Sequence, residues 1–600
     1  MEIPVNLPYR PLDTGKSEIR LLKFPANDSD NFELTVSLDD NPEYAALSYL
    51  WGNPQDQETV FVQGHEVQLM GRIFSSALVV YSWVGPKDYT LAFEALTTLA
   101  RLLRHNVRDR TDDQLLFDSV TFQLGWLQQD RHLCDPQDQP ESPYRGNPWQ
   151  AIASLASEKY WKRVWVFQEA TLARRLLLLS SGDMKLGWEE VQLVTESFGD
   201  LALEMFNEDQ SKPDFISSQA WEFIEDFYQW NYFDQIVRGK YLLSVPSQHR
   251  ASYFSWATSS AASHLEATDP KDYIYGLLGI TMLPISPDYG PEKSLAELFV
   301  EYITGWLDAM CGSNKSSTMP LSFLSVAGVG NFGPSDLPSW VPNYPGNAHL
   351  IEPHGFISGY KKELSGNPTR NPYVVKDTQS LFVWGKKMGS IDVASEEPDS
   401  NRVQDFYSFI KSFFSRHENY VSGVPSLQAI CELLLGRPKI KAVTEKTVTA
   451  ALYIAFLAPT FDVTDPEPTQ ELPWHNGWET KLYDFAFPGI DMQELGFGST
   501  PRQDTSWWGT DDRKTVLQYL DNLLKDFNTF ALESGYLGTA PLGTKSGDVL
   551  CVLEGSGLPL LLRETEEGHY VFVGTTNVLD LDVQSLLSDM GPGGQWFELR

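Results

Sequence analysis

Six hundred residues are more than one compact core usually holds, so two to four domains are expected. With 42% hydrophobic and 21% charged residues, the composition excludes long disorder, and 13% aromatics with 18 Trp demand large cores or buried clefts. Eighty acidic against 46 basic residues leave a net charge of −34, a field that repels phosphate backbones and anionic lipid and argues against nucleic acid or membrane as partners.

The chain begins β-rich. EIRLLKF (18–24) and FELTVSL (32–38) are short alternating runs, and YAALSYLWG (44–52) reads as a buried strand stopped by Gly52-Asn53-Pro54. ETVFVQGHEVQL (58–69) reads as a hairpin around Gln63-Gly64. Apolar residues at helical spacing then mark 72–85, which ends at Gly85-Pro86, and 91–107 is amphipathic. Residues 108–147 are polar and loop-like, and Pro148 stands at a first helical position, opening a helical stretch over 148–175. The arginines at 101–110 and the basic residues at 159–175 read as solvated helix faces.

From 188 to 310 the pattern is mostly helical, with a break at Asp288-Tyr289-Gly290-Pro291. Residues 312–376 are rich in Gly, Pro, Ser and Asn, 403–460 look helical again, and 462–510 are irregular. Three strands are expected at 547–555, 558–564 and 569–580, with Glu566-Glu567-Gly568 turning between the last two.

Cys134, Cys311, Cys431 and Cys551 have neither CxxC spacing nor a histidine at zinc-ligand distance, which fits a reducing compartment. No HExxH, acidic metal loop, nucleophile elbow or phosphate loop occurs, so no metal and no cofactor is expected. The N-terminal stretch has no apolar core of signal-peptide length, and the longest apolar run, 451–461, is too short to span a bilayer. A cytoplasmic protein is expected.

Trp51-Gly52 reads as a core indole followed by a glycine turn, with a pocket at the strand end as the alternative. In YWKRVWVFQEA (160–170), Trp161, Trp165, Gln168 and Glu169 recur on one helical face, first of all as packing. Glu169 is the catalytic candidate, since a carboxyl beside Trp on a buried face can serve as a base. A salt bridge to Arg163 or Arg174 explains it as well. Asp269-Pro270-Lys271-Asp272 reads as a helix start, with Asp269 as N-cap and Asp272 in the first turn.

These blocks resemble the fungal heterokaryon-incompatibility (HET) domain family. Ala46-Leu47-Ser48-Tyr49-Leu50-Trp51-Gly52 is similar to the family's first block, and Met70-Gly71-Arg72-Ile73-Phe74-Ser75-Ser76-Ala77 with Trp83-Val84-Gly85-Pro86 to its third, a helix and the strand after it. The 160–170 segment resembles the close of the domain, and Asp269-Pro270-Lys271-Asp272-Tyr273-Ile274-Tyr275-Gly276-Leu277-Leu278-Gly279 an element that commonly follows it. Gly547-Asp548-Val549 and Leu562-Arg563 are similar to the family's C-terminal region.

The resemblance implies an α/β domain of three layers, likened to Toll/interleukin-receptor (TIR) domains, followed by a mostly helical middle and a small antiparallel β C-terminal module. The expected organisation is a lead-in over 1–40, the signature domain over 41–175, a helical region over 176–310, a connecting region over 311–400, a helical and irregular region over 401–530, and the β module over 531–600. The implied function is non-self recognition and programmed cell death after cell fusion, with proteins of incompatible loci as partners and oligomeric state open. NAD cleavage, as in TIR-like enzymes, and an inactive decoy are the alternatives.

One departure stands out. Where the family carries a block resembling LWIDAICINQ, this chain runs from His65-Glu66-Val67-Gln68 straight into Leu69-Met70-Gly71. The domain is therefore expected to be incomplete between about 67 and 71, with a central strand missing and neighbouring backbone groups left unpaired at about 1–3 kcal/mol each.

Overall fold

A computed structural model describes residues 18–22, 33–40, 42–49, 66–107, 124–136, 146–208, 213–229, 232–244, 265–311, 320–332, 336–346, 370–394, 402–435, 527–588 and 593–600, with single positions between 447 and 524. Two compact units divide the chain, Met1–Leu298 and Phe299–Arg600.

In the first unit the two alternating runs pair antiparallel as β1 (Glu18–Leu22) and β2 (Glu33–Ser37). The main sheet takes β3 (Ala45–Tyr49), β4 (Val79–Trp83), β5 (Leu176–Leu179) and β6 (Lys185–Gly187) in that order. β3, β4 and β5 are parallel, and β6 returns antiparallel. Helix α1 (Glu66–Ser76) connects β3 to β4, and α2 (Thr90–Val107), α3 (Pro148–Ala156) and α4 (Val164–Leu172) lie between β4 and β5. Both crossovers step the same way across the sheet, so the right-handed rule puts their helices on one face. After β6 come α5 (Trp188–Glu208), α6 (Ser218–Gln229), α7 (Tyr232–Ser244), and the short α8 (Asp272–Tyr275) and α9 (Leu278–Thr281).

β3 and β4 align over all five residues, from Ala45↔Val79 to Tyr49↔Trp83. The expectation of orphaned strands beside a missing one is therefore corrected. The strands flanking the gap pair with each other, and their inner backbone groups are satisfied without a strand between them.

Three local readings are also corrected. Residues 66–69 of the expected hairpin begin α1, because Val67, Met70, Ile73 and Phe74 continue one helical apolar stripe; residues 58–65 lie outside the described residues. The run 72–85 is not one helix: it ends at Ser76, and β-branched Val79 and Val80 start a strand. The stretch 148–175 breaks as well. Asn147 caps α3 through Trp149 N–H at 3.0 Å, with Pro148 at the first turn, but Arg163 has extended backbone (φ −77°, ψ 130°) and bridges to Glu266. Trp161 therefore sits in a 3-10 turn, off the helix that carries Trp165, Gln168 and Glu169.

In the second unit, β7 (Tyr373–Val375) and the long β8 (Ser380–Ala394) form inside the stretch read as a connecting region. They are followed by β9 (Asn528–Leu532), β10 (Leu537–Ala540), β11 (Val549–Leu553), β12 (Leu560–Glu564), β13 (Tyr570–Thr575), β14 (Asn577–Val578) and β15 (Gly594–Leu599). β8 pairs with β11, β11 with β12, β12 with β13, β13 with β15 and β15 with β8, so five strands close on themselves. Register shifts at Leu550/Cys551 and Leu561/Leu562 supply the bends that closure needs. The far half of β8 pairs with β9, which pairs with β10. Leu550, Val552, Leu561 and Val573 are fully buried inside. α10 (Arg402–Phe414) and α11 (Ser426–Leu434) are the longer helices of the region read as helical from 403.

Candidate functional site

The C-terminal ends of β3 and β4 carry the chemistry. In each strand one serine interrupts the apolar run, and Ser48 and Ser82 stand side by side in register, both buried. Ligand sites of open parallel sheets form at this edge. Tyr160, fully buried in the 3-10 turn Lys159–Lys162, shares a 2.5 Å hydrogen bond with the Ser48 hydroxyl. Glu169 on α4 reaches the same serine from the helix above. Ser82 lowers the Tyr160 pKa alongside Ser48 but makes no hydrogen bond of ordinary geometry.

Burial decides the electrostatics. It pushes the Glu169 carboxyl up to about 7, against smaller lowering effects from the Ser48 hydroxyl and the Arg163 guanidinium. It raises the Tyr160 phenol too, assisted by the neighbouring Glu169 charge. The salt-bridge account of Glu169 fails: among the described residues it has no ion pair. Arg163 instead donates from Nη1 to the Tyr49 carbonyl at 3.2 Å and acts on Glu169 through space. A carboxyl half-ionised near neutrality can accept or give a proton, as general acid–base work requires.

Arg163 also faces a second acid. Asp272 is raised by burial, opposed by hydrogen bonds from the Tyr289 hydroxyl (2.6 Å) and Trp165 and by the Arg163 charge. Asp272 lies in the first turn of α8, but the cap is not the expected Asp269. Lys271 is the N-cap of α8, while Asp269 Oδ1 accepts from Lys271 N–H at 2.9 Å one turn earlier. Proline at 270 sits in that lead-in turn, not inside the helix.

The remaining motif positions are packing devices. Gln168 Oε1 accepts from Gly279 N–H at 2.7 Å, while its buried Nε2 has no hydrogen-bond partner. Gly71 and Gly279 are back to back: a methyl on Gly279 would meet Gln168 Oε1 at 2.5 Å and the Gly71 Cα at 2.9 Å. Gly276 likewise lies against Val164 and the Asp272 carbonyl. Gly279→Ala is expected to destabilise the first unit by roughly 1–3 kcal/mol in urea unfolding, because helices α1, α4 and α9 must separate. Tyr275 is buried and exchanges hydrogen bonds with the Asp288 backbone through its hydroxyl. Ile73 offers its carbonyl to the Tyr44 hydroxyl at 2.5 Å, Ala77 is fully buried, and Gly85 has φ +148°, a value that favours glycine after Trp83. Trp161 packs edge-on to Tyr160 and Phe233, and its Nε1 donates to the Leu155 carbonyl at 2.9 Å. Trp51 and Gly52 lie outside the described residues.

Sequence reasoning named Glu169 but missed Ser82 and the role of Tyr160. The available signal was a lone serine inside each of two otherwise apolar strands. Among the described residues no group of three or more His, Cys, Asp or Glu could hold a metal ion, and no helix is long and apolar enough to cross a membrane.

Residues 55–169 match the family model described as heterokaryon incompatibility protein (HET). A curated relative, the heterokaryon incompatibility protein 6, OR allele, of Neurospora crassa, is 23% identical over 338 residues, covering 52% of this chain and 45% of that protein. The matched region thus spans less than half of the relative's length. No solved structure matches this chain.

Proposed function

We propose that this chain, whose residues 55–169 match the HET family model, acts in heterokaryon incompatibility as an effector of growth arrest and cell death after fusion of unlike cells. The family match is the observation that carries the proposal. Proteins of incompatible loci are the partners, met in the cytoplasm; the net charge of −34 disfavours nucleic acid. The parallel sheet with Ser48, Ser82 and Glu169 at its C-terminal edge supports the likeness to TIR domains. The test is conditional expression of the full chain in a fungal host. Growth arrest with uptake of a vital dye is the expected result; undisturbed growth with soluble, folded protein would instead favour a decoy.

Glu169 favours a second reading, hydrolysis of NAD, and its pKa near 7 is the supporting feature. Water would add at the anomeric carbon as the bond to nicotinamide breaks, yielding ADP-ribose, nicotinamide and a proton, with Glu169 accepting the proton from water. Incubation with NAD should show loss that Glu169→Gln abolishes; equal loss in both proteins would sink this chemistry. Whether the short path from Val67 to Gly71 is native is decided by full-length transcripts. Continuous codons there mean a domain shortened in the gene, and extra in-frame codons mean a longer protein in the cell.

A further inference from the structure

Four polar groups meet inside the first unit, each from its own element: Ser48 on β3, Ser82 on β4, Tyr160 in the 3-10 turn Lys159–Lys162 and Glu169 on α4. Ser82 and Tyr160 are fully buried and Ser48 is 1% exposed, while Glu169 keeps 8%. Solvent protons therefore reach the cluster through the carboxyl, and its members must satisfy one another. A hydroxyl has one proton to donate, so each bond in such a chain fixes the direction of the next. Ser48 hydrogen-bonds to Glu169 in the direction that favours the carboxylate, as donor. Its one proton is then committed, and the 2.5 Å bond between Ser48 and Tyr160 forms with the phenol as donor. Ser82, level with Ser48 across the sheet, offers its hydroxyl dipole to the Tyr160 oxygen at the end of the chain.

We propose that Tyr160 is a positioning residue for Glu169: its hydroxyl donates to Ser48 and so holds the Ser48 proton on the carboxylate, the form in which Glu169 works as a base. While the carboxyl is ionised, the chain runs from Tyr160 to Ser48 to Glu169. When Glu169 takes up a proton it becomes a donor, and both hydroxyls turn about so that the order reverses. Each bond polarises the next, so the phenol acts on a carboxyl it need not touch. Among the described residues, Arg163 is the charged group that acts on Glu169. It stands at the start of α4, donates to the Tyr49 carbonyl and also acts on Asp272 of α8. With that cation shared, neutral donors take a larger part in stabilising the carboxylate. This assignment rests, for its chemistry, on the reading of Glu169 as the base in NAD hydrolysis; the hydrogen-bonded chain itself needs no substrate.

The readout is the infrared band of the protonated Glu169 carboxyl, identified by its loss in Glu169→Gln and followed across neutral pH in the full-length protein. Tyr160→Phe keeps the ring, which packs edge-on to Trp161, and removes only the hydroxyl. The band is expected to persist to a pH roughly half a unit to one unit higher, because the carboxylate loses a donor at one remove. Ser48→Ala should move it further. Tyr160→Phe added to Ser48→Ala should then move it no more, since the link between them is gone. Ser82→Ala should give a smaller shift in the same direction. A packing role for Tyr160 would instead give shifts that add in the double variant, and that result would overturn the proposal. So would an unmoved band in Tyr160→Phe or, should that variant not fold, in Ser48→Ala; so would the lack of any Glu169 band. NAD consumption is read on the same proteins. With turnover, the rising limb of kcat against pH should move with the band while KM holds. Without turnover the reading of Glu169 as an NAD-cleaving base fails, and the band still decides the role of Tyr160.

Discussion

Glu169→Gln is expected to leave stability at pH 4 nearly unchanged and to make the first unit more stable than the parent at pH 8, by about 3 kcal/mol. The sign follows from where the proton sits. Burial holds the folded carboxyl near 7, against an ordinary value of 4.5. Below 4.5 both folded and unfolded chains carry the proton, and pH has no leverage. Between 4.5 and 7 the unfolded chain releases it while the folded chain keeps it, so stability falls as pH rises. Above 7 both are ionised and the loss is complete. Glutamine keeps the shape and can still hydrogen-bond to Ser48, but has no proton to lose. Urea unfolding of parent and variant across pH 4 to 8 should therefore give curves that diverge between about 4.5 and 7. Parallel curves would mean that Glu169 is ionised in the folded state beside a compensating cation.

Arg563→Met is expected to destabilise the second unit by about 3–5 kcal/mol, the usual effect of stranding one member of a buried ion pair. Asp548 is 1% exposed and takes the Arg563 guanidinium on both oxygens, at 2.8 and 2.9 Å, while Arg563 also donates to the Gly543 carbonyl at 2.9 Å. Without the arginine, the carboxylate keeps only the Lys545 N–H at 2.8 Å. The double variant Asp548→Asn, Arg563→Met should recover part of the loss, because no uncompensated charge remains inside. Additive losses in the cycle would show that the two residues act separately. Because the pair ties the turn before β11 to β12, its loss should also increase hydrogen exchange in β12.

Much of the local structure was legible in the sequence. Alternation marked β1 and β2, and Asn147-Pro148 announced the start of α3. Family resemblance placed Glu169, Gly279, Asp548 and Arg563 in meaningful blocks without saying what they touch. Periodicity failed where two patterns overlap in a short window: 72–85 satisfies a helical spacing and contains a strand, and 160–170 looks like one stripe until Arg163 turns extended.

By itself, then, the sequence marked several strands and helices, a family resemblance and the residues that interrupt apolar patterns, because strand and helix periods are properties of a few neighbouring side chains. Tertiary structure alone decided that β3 and β4 pair directly with each other and that Tyr160 and Glu169 converge on Ser48. Ser48 and Tyr160 are 112 residues apart. Nothing in a local window encodes such a distance; crossover handedness and the burial of one sheet face bring the two together and set the pKa of the acid beside them.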